Sequence, residues 1–183
     1  MERVPVNRTE AAGVVLLSGV PGSGKTTVAA ALAARLPAAA HIEVDALQGM
    51  IVSGGRWPAP EPDEEADRQI FLRARNACLL AGSFARAGFT AVVDDVVVRR
   101  SHLACYREAL AGLTVRTVFL APGPEVARRR NLARDKRLAT DWSFLDGAMR
   151  AELGGEGRWL DSAELSVPET VDAILSLTGL HRG

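Results

Sequence analysis

Eight consecutive residues, Gly19-Val20-Pro21-Gly22-Ser23-Gly24-Lys25-Thr26, fit the pattern G-x-x-x-x-G-K-[ST] in full. Residue types at that spacing serve one chemistry, the holding of a phosphate chain. Gly19, Gly22 and Gly24 let backbone N–H groups converge on phosphate oxygens without Cβ clashes. Lys25 is placed to reach the β- and γ-phosphates, and the Thr26 hydroxyl to ligate magnesium. Ser23 and Thr27 complete the expected ATP-contacting set. The plain alternative is a glycine-rich turn without a ligand. It is disfavoured because the motif follows a buried-strand pattern and opens a helical one, the context the chemistry requires.

Carboxylates come next. Asp45 closes one short apolar run (IEVD), and Asp94-Asp95 close another (VVDD). In open α/β sheets ligands sit beyond the carboxyl ends of the strands, so all three acids are expected near the phosphate loop. Two tasks need an acid: orienting an acceptor hydroxyl and taking its proton, and holding magnesium or its water shell. Asp45 is assigned to the first task, Asp94 or Asp95 to the second. The competing readings are that Asp45 caps a helix and that one of the pair caps the next turn.

A basic cluster follows: Arg128, Arg129, Arg130, Arg134, Lys136 and Arg137 around one acid, Asp135. Arg130, Arg134 and Arg137 share one helix face, and Val126, one turn before Arg130, is expected to point at the core. Arg130 and Arg134 are expected on ATP, with Arg134 and Arg137 stabilising charge on a transferring phosphoryl group. The segment from about residue 128 to 141 is read as a lid. A solvated basic face is the competing reading. Segment 46–62 is read as the acceptor side. It includes the Gly/Pro-rich loop SGGRWPAPEP, in which Arg56 and Trp57 are candidate substrate contacts and an ordinary surface tryptophan is the alternative. His41 and His102 are read as structural, Trp142, Phe144 and Trp159 as packing residues. Asp161-Ser162 is placed near the adenine.

The elements that must position these residues alternate. Strands are expected at residues 13–18, 41–44, 90–93, 114–120 and 158–160. Helices are expected at 25–36, 63–87, 101–111 with Ser101 as cap, after Pro122-Gly123-Pro124, 142–153 capped by Asp141, and 168–177. The long second helix carries acids in its first turns and a stripe of Ile70, Ala74, Ala77, Cys78, Ala81 and Phe84. The pattern implies an α/β three-layer fold with a central parallel five-stranded sheet, spanning 1–183 as a single domain.

The order Gly19–Thr26, Val44-Asp45-Ala46-Leu47, Val93-Asp94-Asp95-Val96 and Ala133-Arg134-Asp135-Lys136-Arg137 resembles the chloramphenicol phosphotransferase-like P-loop kinases. It is similar too to the broader zeta-toxin and gluconate-kinase group. The resemblance runs from about Val14 to Leu177. It implies that Asp45 is the base toward the acceptor hydroxyl and that Arg130, Arg134 and Arg137 bind phosphate. The 53–62 loop departs from it, so the resemblance bears on reaction type rather than acceptor identity.

Composition narrows the classes further. Twenty-two Lys and Arg balance 22 Asp and Glu, which speaks against bulk capture of nucleic acid or anionic lipid. Cys78 and Cys105 match no metal or redox spacing and are read as buried thiols. The polar N-terminus and the short apolar runs lead to the expectation of a soluble cytoplasmic protein without a membrane partner. A GTPase would need D-x-x-G and [NT]-K-x-D motifs, which are missing; a remodelling ATPase usually needs a larger module. The expected function is ATP- and magnesium-dependent transfer of phosphate to a small-molecule hydroxyl. A nucleotide, nucleoside or RNA-end kinase and a regulatory ATP-binding module are the alternatives.

Overall fold

Val14 to Leu17 are completely buried, because their strand lies in the middle of a sheet with both faces covered. The structure is a computed structural model that describes residues 12–59, 61–133, 142 and 144–180. Its strands are β1 (Val14–Ser18), β2 (Ala39–Glu43), β3 (Thr90–Asp95), β4 (Val115–Leu120) and β5 (Arg158–Leu160). They form one parallel sheet in the order β2-β3-β1-β4-β5. The helices are α1 (Lys25–Arg35), α2 (Val44–Gly49), α3 (Glu64–Arg86), α4 (Arg100–Ala109), α5 (Pro124–Leu132), α6 (Leu145–Leu153) and α7 (Val167–Thr178).

Alternation along β1 divides the core. Val14 and Leu16 face Ala74, Ala77, Leu103, Tyr106 and Met149, from α3, α4 and α6. Val15 and Leu17 face Val28, Leu32, Val171 and Ile174, from α1 and α7. The result is the expected three-layer α/β arrangement.

Local chemistry sets the helix ends. Asp63 caps α3, its carboxylate accepting from Glu65 N and Ala66 N. Ser166 and Glu169 form a capping box on α7. Gly24 precedes α1 with φ 93° and offers no side-chain cap, so the first N–H groups of that helix stay open to a ligand.

Several elements differ from expectation. The second strand begins at Ala39 and ends at Glu43, whose register partner is Asp94. The chain then turns so that Val44 enters the core, and α2, which the sequence pattern did not announce, places Asp45 in its first turn rather than at a strand end. Ser101 is not a cap: α4 starts at Arg100 after Arg99, which makes no side-chain cap bond. Ala127, not Val126, is the buried residue of α5. Cys78 is buried but Cys105 only partly so. Asp141 lies outside the described residues.

Candidate active site

The P-loop runs from the end of β1 over the sheet and into α1. Its glycines are dictated by space as well as torsion. Gly22 has φ 85°, and a Cβ there would lie 2.1 Å from the Ala127 carbonyl oxygen. A Cβ at Gly19 would meet Ser23 Oγ and the Leu120 carbonyl within 3 Å. The loop is therefore pressed against Ala127 and Asn131 of α5 on one side and open on the other. Lys25 is nearly buried, and Ser23 Oγ is buried without a hydrogen-bond partner.

A cavity of about 330 Å³ adjoins the open side. Gly22 to Val28 and Arg130 line it, joined by Ser162 and the start of α7, where Ser166 and Thr170 contribute. The sequence reading placed Ser162 here and missed Ser166 and Thr170; a capping serine before a helix carries no mark of a ligand wall. Arg130 reaches the cavity, with its guanidinium donating to the carbonyls of Ser23, Ser162 and Ala163 at 3.3, 3.0 and 3.2 Å. It ties the P-loop to the segment after β5. Arg134 and Arg137 lie outside the described residues.

Adjacent residues of a strand point to opposite faces, and this separates the two acids of β3. Asp94 accepts from Thr26 Oγ1 at 2.9 Å and faces His41 Nε2 at 2.5 Å. Asp95 points into the other layer. Its carboxylate accepts from the Tyr106 hydroxyl at 2.9 Å and from Val96 N, and Arg73 Nη2 lies at 3.6 Å. His102 Nε2 sits 3.0 Å from Asp95 Oδ2, off the line of a hydrogen bond. Burial alone would raise the Asp95 carboxyl; His102, Arg73 and Tyr106 outweigh it and hold the group at about 2. The same buried carboxylate, after burial itself, drives Tyr106 well above the ordinary phenol range. Burial, then Cys105 and Asp95, push the Cys78 thiol up to about 12, which leaves it an inert core residue.

A second cavity, of about 390 Å³, opens on the other flank of the P-loop, against Pro21. Its walls are mostly apolar, with Trp57, Ile70, Val96, Val98, Trp142 and Leu145. Asp45, half exposed, stands at this cavity with its Oδ1 3.4 Å from Arg73 Nη1. Arg73 thus bridges Asp45 and Asp95. The sequence reading missed Arg73, although a lone arginine between Ile70 and Ala74 on the buried stripe of α3 needs partners to be buried at all. Arg56 does not line the cavity. It is exposed, 4.0 Å from Asp63, while its backbone is held by Gln48 and Gln69. Trp142, expected as packing, is a wall residue here, and Phe144 beside it is exposed. Trp159 does pack, stacked on Phe119.

The residues present fit magnesium. Among the described residues no group of three or more His, Cys, Asp or Glu forms a metal cage. Magnesium beside a nucleotide needs none: it takes one or two protein oxygens together with phosphate oxygens and water. Thr26 and Asp94 supply such a pair next to the phosphate cradle.

An AAA domain family model (AAA_33) matches residues 14–149. The chain belongs to that family. The match covers the P-loop, both acid stations and α5, and stops before β5. Solved structures share the architecture of this AAA domain. A sugar kinase from Janibacter sp. HTCC2649 is 21% identical with a TM-score of 0.70, over 92% of this chain and 95% of that one. The Deinococcus radiodurans tunicamycin resistance protein is 20% identical with a TM-score of 0.69, over 94% and 98%. A gluconokinase from Sinorhizobium meliloti 1021 is 20% identical with a TM-score of 0.59, over 92% and 91%. At these identities the likeness is one of fold alone. No curated protein matches the sequence. Among the described residues no helix is long and apolar enough to cross a membrane.

Proposed function

We propose that this AAA domain is a phosphotransferase that moves the γ-phosphate of ATP, with magnesium, to a hydroxyl group of a small molecule. One observation carries the reading. The P-loop separates two cavities, one built around the phosphate cradle and one mostly apolar with a carboxylate, Asp45, at its wall. A module that only bound ATP would need the first and not the second. The kinase names of the structural neighbours agree with this reading.

The residues take the following roles. The P-loop N–H groups, Ser23 and Lys25 bind the phosphates; Thr27 and Arg130 close the nucleotide cavity. Magnesium, held through Thr26 and Asp94, supplies positive charge against the phosphate oxygens when bound. Asp95 anchors the fold beneath the acceptor cavity and leaves the metal side to Asp94. Asp45 accepts the proton of the acceptor hydroxyl as that oxygen bonds to the γ-phosphorus and the bond to the β–γ bridging oxygen breaks. Arg134 and Arg137 stabilise the charge spread over the moving phosphoryl group. The narrower likeness to chloramphenicol phosphotransferase-like kinases belongs with this proposal.

The test is a screen of hydroxylated metabolites and antibiotics with γ-labelled ATP and magnesium. Label should appear on an organic acceptor with wild-type protein and not with Lys25→Ala. Label released only as inorganic phosphate across the whole screen would overturn the proposal.

A further inference from the structure

We propose that His41 is a positioning residue for magnesium: its ring fixes the carboxylate of Asp94, and Asp94 in turn fixes the hydroxyl of Thr26. The inference rests on the magnesium role given to Thr26 and Asp94 above and adds the residue that sets their geometry. His41 reads from the sequence as structural. The structure gives it a partner that such a residue does not need.

β2 is an edge strand of the sheet, and its register sets His41 beside Val92, two residues before Asp94 on the same face of β3. Val92 packs in one cluster with Val28 of α1, so this is the face on which the P-loop helix lies. The Asp94 side chain is 3% exposed, and a buried carboxylate needs donors. It has one at each oxygen: Thr26 Oγ1 donates to Oδ1 at 2.9 Å, and His41 Nε2 lies 2.5 Å from Oδ2. A carboxylate oxygen accepts, so the ring nitrogen is the donor. His41 itself is under no such constraint. Its side chain is 22% exposed, and its ring could bond to water instead.

The chain of contacts has a direction. A hydroxyl carries one hydrogen and two lone pairs. With its hydrogen committed to Asp94, Thr26 keeps its lone pairs for a cation at the phosphate cradle. That commitment holds only while Asp94 presents Oδ1 to Thr26. The bond from His41 to Oδ2 stops the carboxylate from turning away. Outer partners of metal ligands act in this manner, orienting the ligand without touching the ion.

The test reads binding and does not depend on transfer. β,γ-Methylene-ATP, which cannot pass on its terminal phosphate, is titrated into the protein in excess magnesium and in excess chelator. The ratio of the two affinities measures the coupling of metal to nucleotide. Wild type should bind more tightly with magnesium. His41→Leu should lower the ratio by up to about tenfold, the lower edge of the range for losing an outer partner of a metal ligand, with affinity in chelator within about twofold of wild type. His41→Gln, whose amide N–H can take the place of the ring Nε2–H, should recover most of the ratio. The double variant His41→Leu/Asp94→Asn should match Asp94→Asn alone, because His41 acts through that carboxylate.

Melting temperatures accompany every variant. Should His41→Leu fail to fold, His41→Asn, polar but too short to reach Asp94, takes its place. An unchanged ratio in His41→Leu overturns the role of His41 and leaves the magnesium pair standing. Equal loss of affinity with and without magnesium, additive losses in the double variant, or a His41→Gln ratio no better than that of His41→Leu overturn it too. A wild-type ratio of one overturns the magnesium role of Thr26 and Asp94 as well; the phosphotransferase reading stands or falls separately, on the hydroxyl screen.

Discussion

The two flanks of the P-loop are built by different means. The flank proposed for the nucleotide is mainly backbone and short range: glycines at positive φ, an uncapped helix start, and carbonyls clipped by Arg130. The flank proposed for the acceptor is mainly side chain and long range. Its walls come from the P-loop, α2, the loop before α3, α3 itself, the segment after β3, α4 and the start of α6. Backbone cradles bind what every ATP has in common. Walls of side chains from separate segments can change one at a time, which suits them to selecting an acceptor.

This contrast is open to test. The largest effect is expected at the cradle. Lys25→Ala should lower transfer on the order of 10³-fold, the upper range for removing one preorganised charge stabiliser, with an unchanged circular dichroism spectrum. Transfer at the wild-type rate would show that the cradle is not where the phosphates sit.

Asp45→Asn comes second. It should lower transfer about 10²-fold or more while ATP affinity, read by titration, stays near wild type. Loss of ATP binding instead would move Asp45 from the acceptor flank to the nucleotide flank and blur the division.

Asp95→Asn should act on stability more than on chemistry. Removing the charge leaves Arg73 poorly compensated in the core, at a cost of about 2 kcal/mol at neutral pH. The folded-state carboxyl is held at about 2, below its unfolded value near 4, so the ionised form favours the fold. That contribution is present above about pH 4 and is lost as pH falls toward about 2, so the stability gap between wild type and variant should close over that window in denaturant titrations. A gap that stays constant with pH would assign the loss to packing.

Asp94→Asn should raise the magnesium needed for half-maximal transfer by about tenfold, a change Asp45→Asn should not produce. Identical magnesium curves for wild type and Asp94→Asn would leave Thr26 without its supposed partner. The smallest effect is expected at Arg56, exposed and outside the cavity: Arg56→Ala should change stability and kcat/KM by less than about 0.5 kcal/mol. A large rise in KM would bring the 53–62 loop over the acceptor after all.

Legibility from sequence followed range of interaction. The P-loop could be read residue by residue, because its function is carried by contiguous backbone and by the helix that follows. The first and third strands were readable as apolar runs closed by glycine or aspartate, and the parallel sheet from the alternation of strands with helices. Helix α2 escaped because six residues are too few to show a period. Arg73 was hidden for a related reason: an arginine inside an amphipathic stripe looks like a solvated residue until its two carboxylate partners, from α2 and β3, are brought beside it.

The sequence by itself determined the glycine-rich P-loop, the alternating α/β order and the acids at the end of β3 and just past β2. Only the tertiary structure set Asp94 beside Thr26 and Asp95 in the opposite layer, against Tyr106 and Arg73. The strand pleat sends neighbouring residues to opposite faces, but which face carries α1 with Thr26 depends on the order β2-β3-β1 and on where each helix packs. The apolar cavity beside Asp45 was assembled the same way. Trp57, Arg73 and Trp142 carry no shared pattern along the chain, and their relation arises only when the sheet sets their segments side by side.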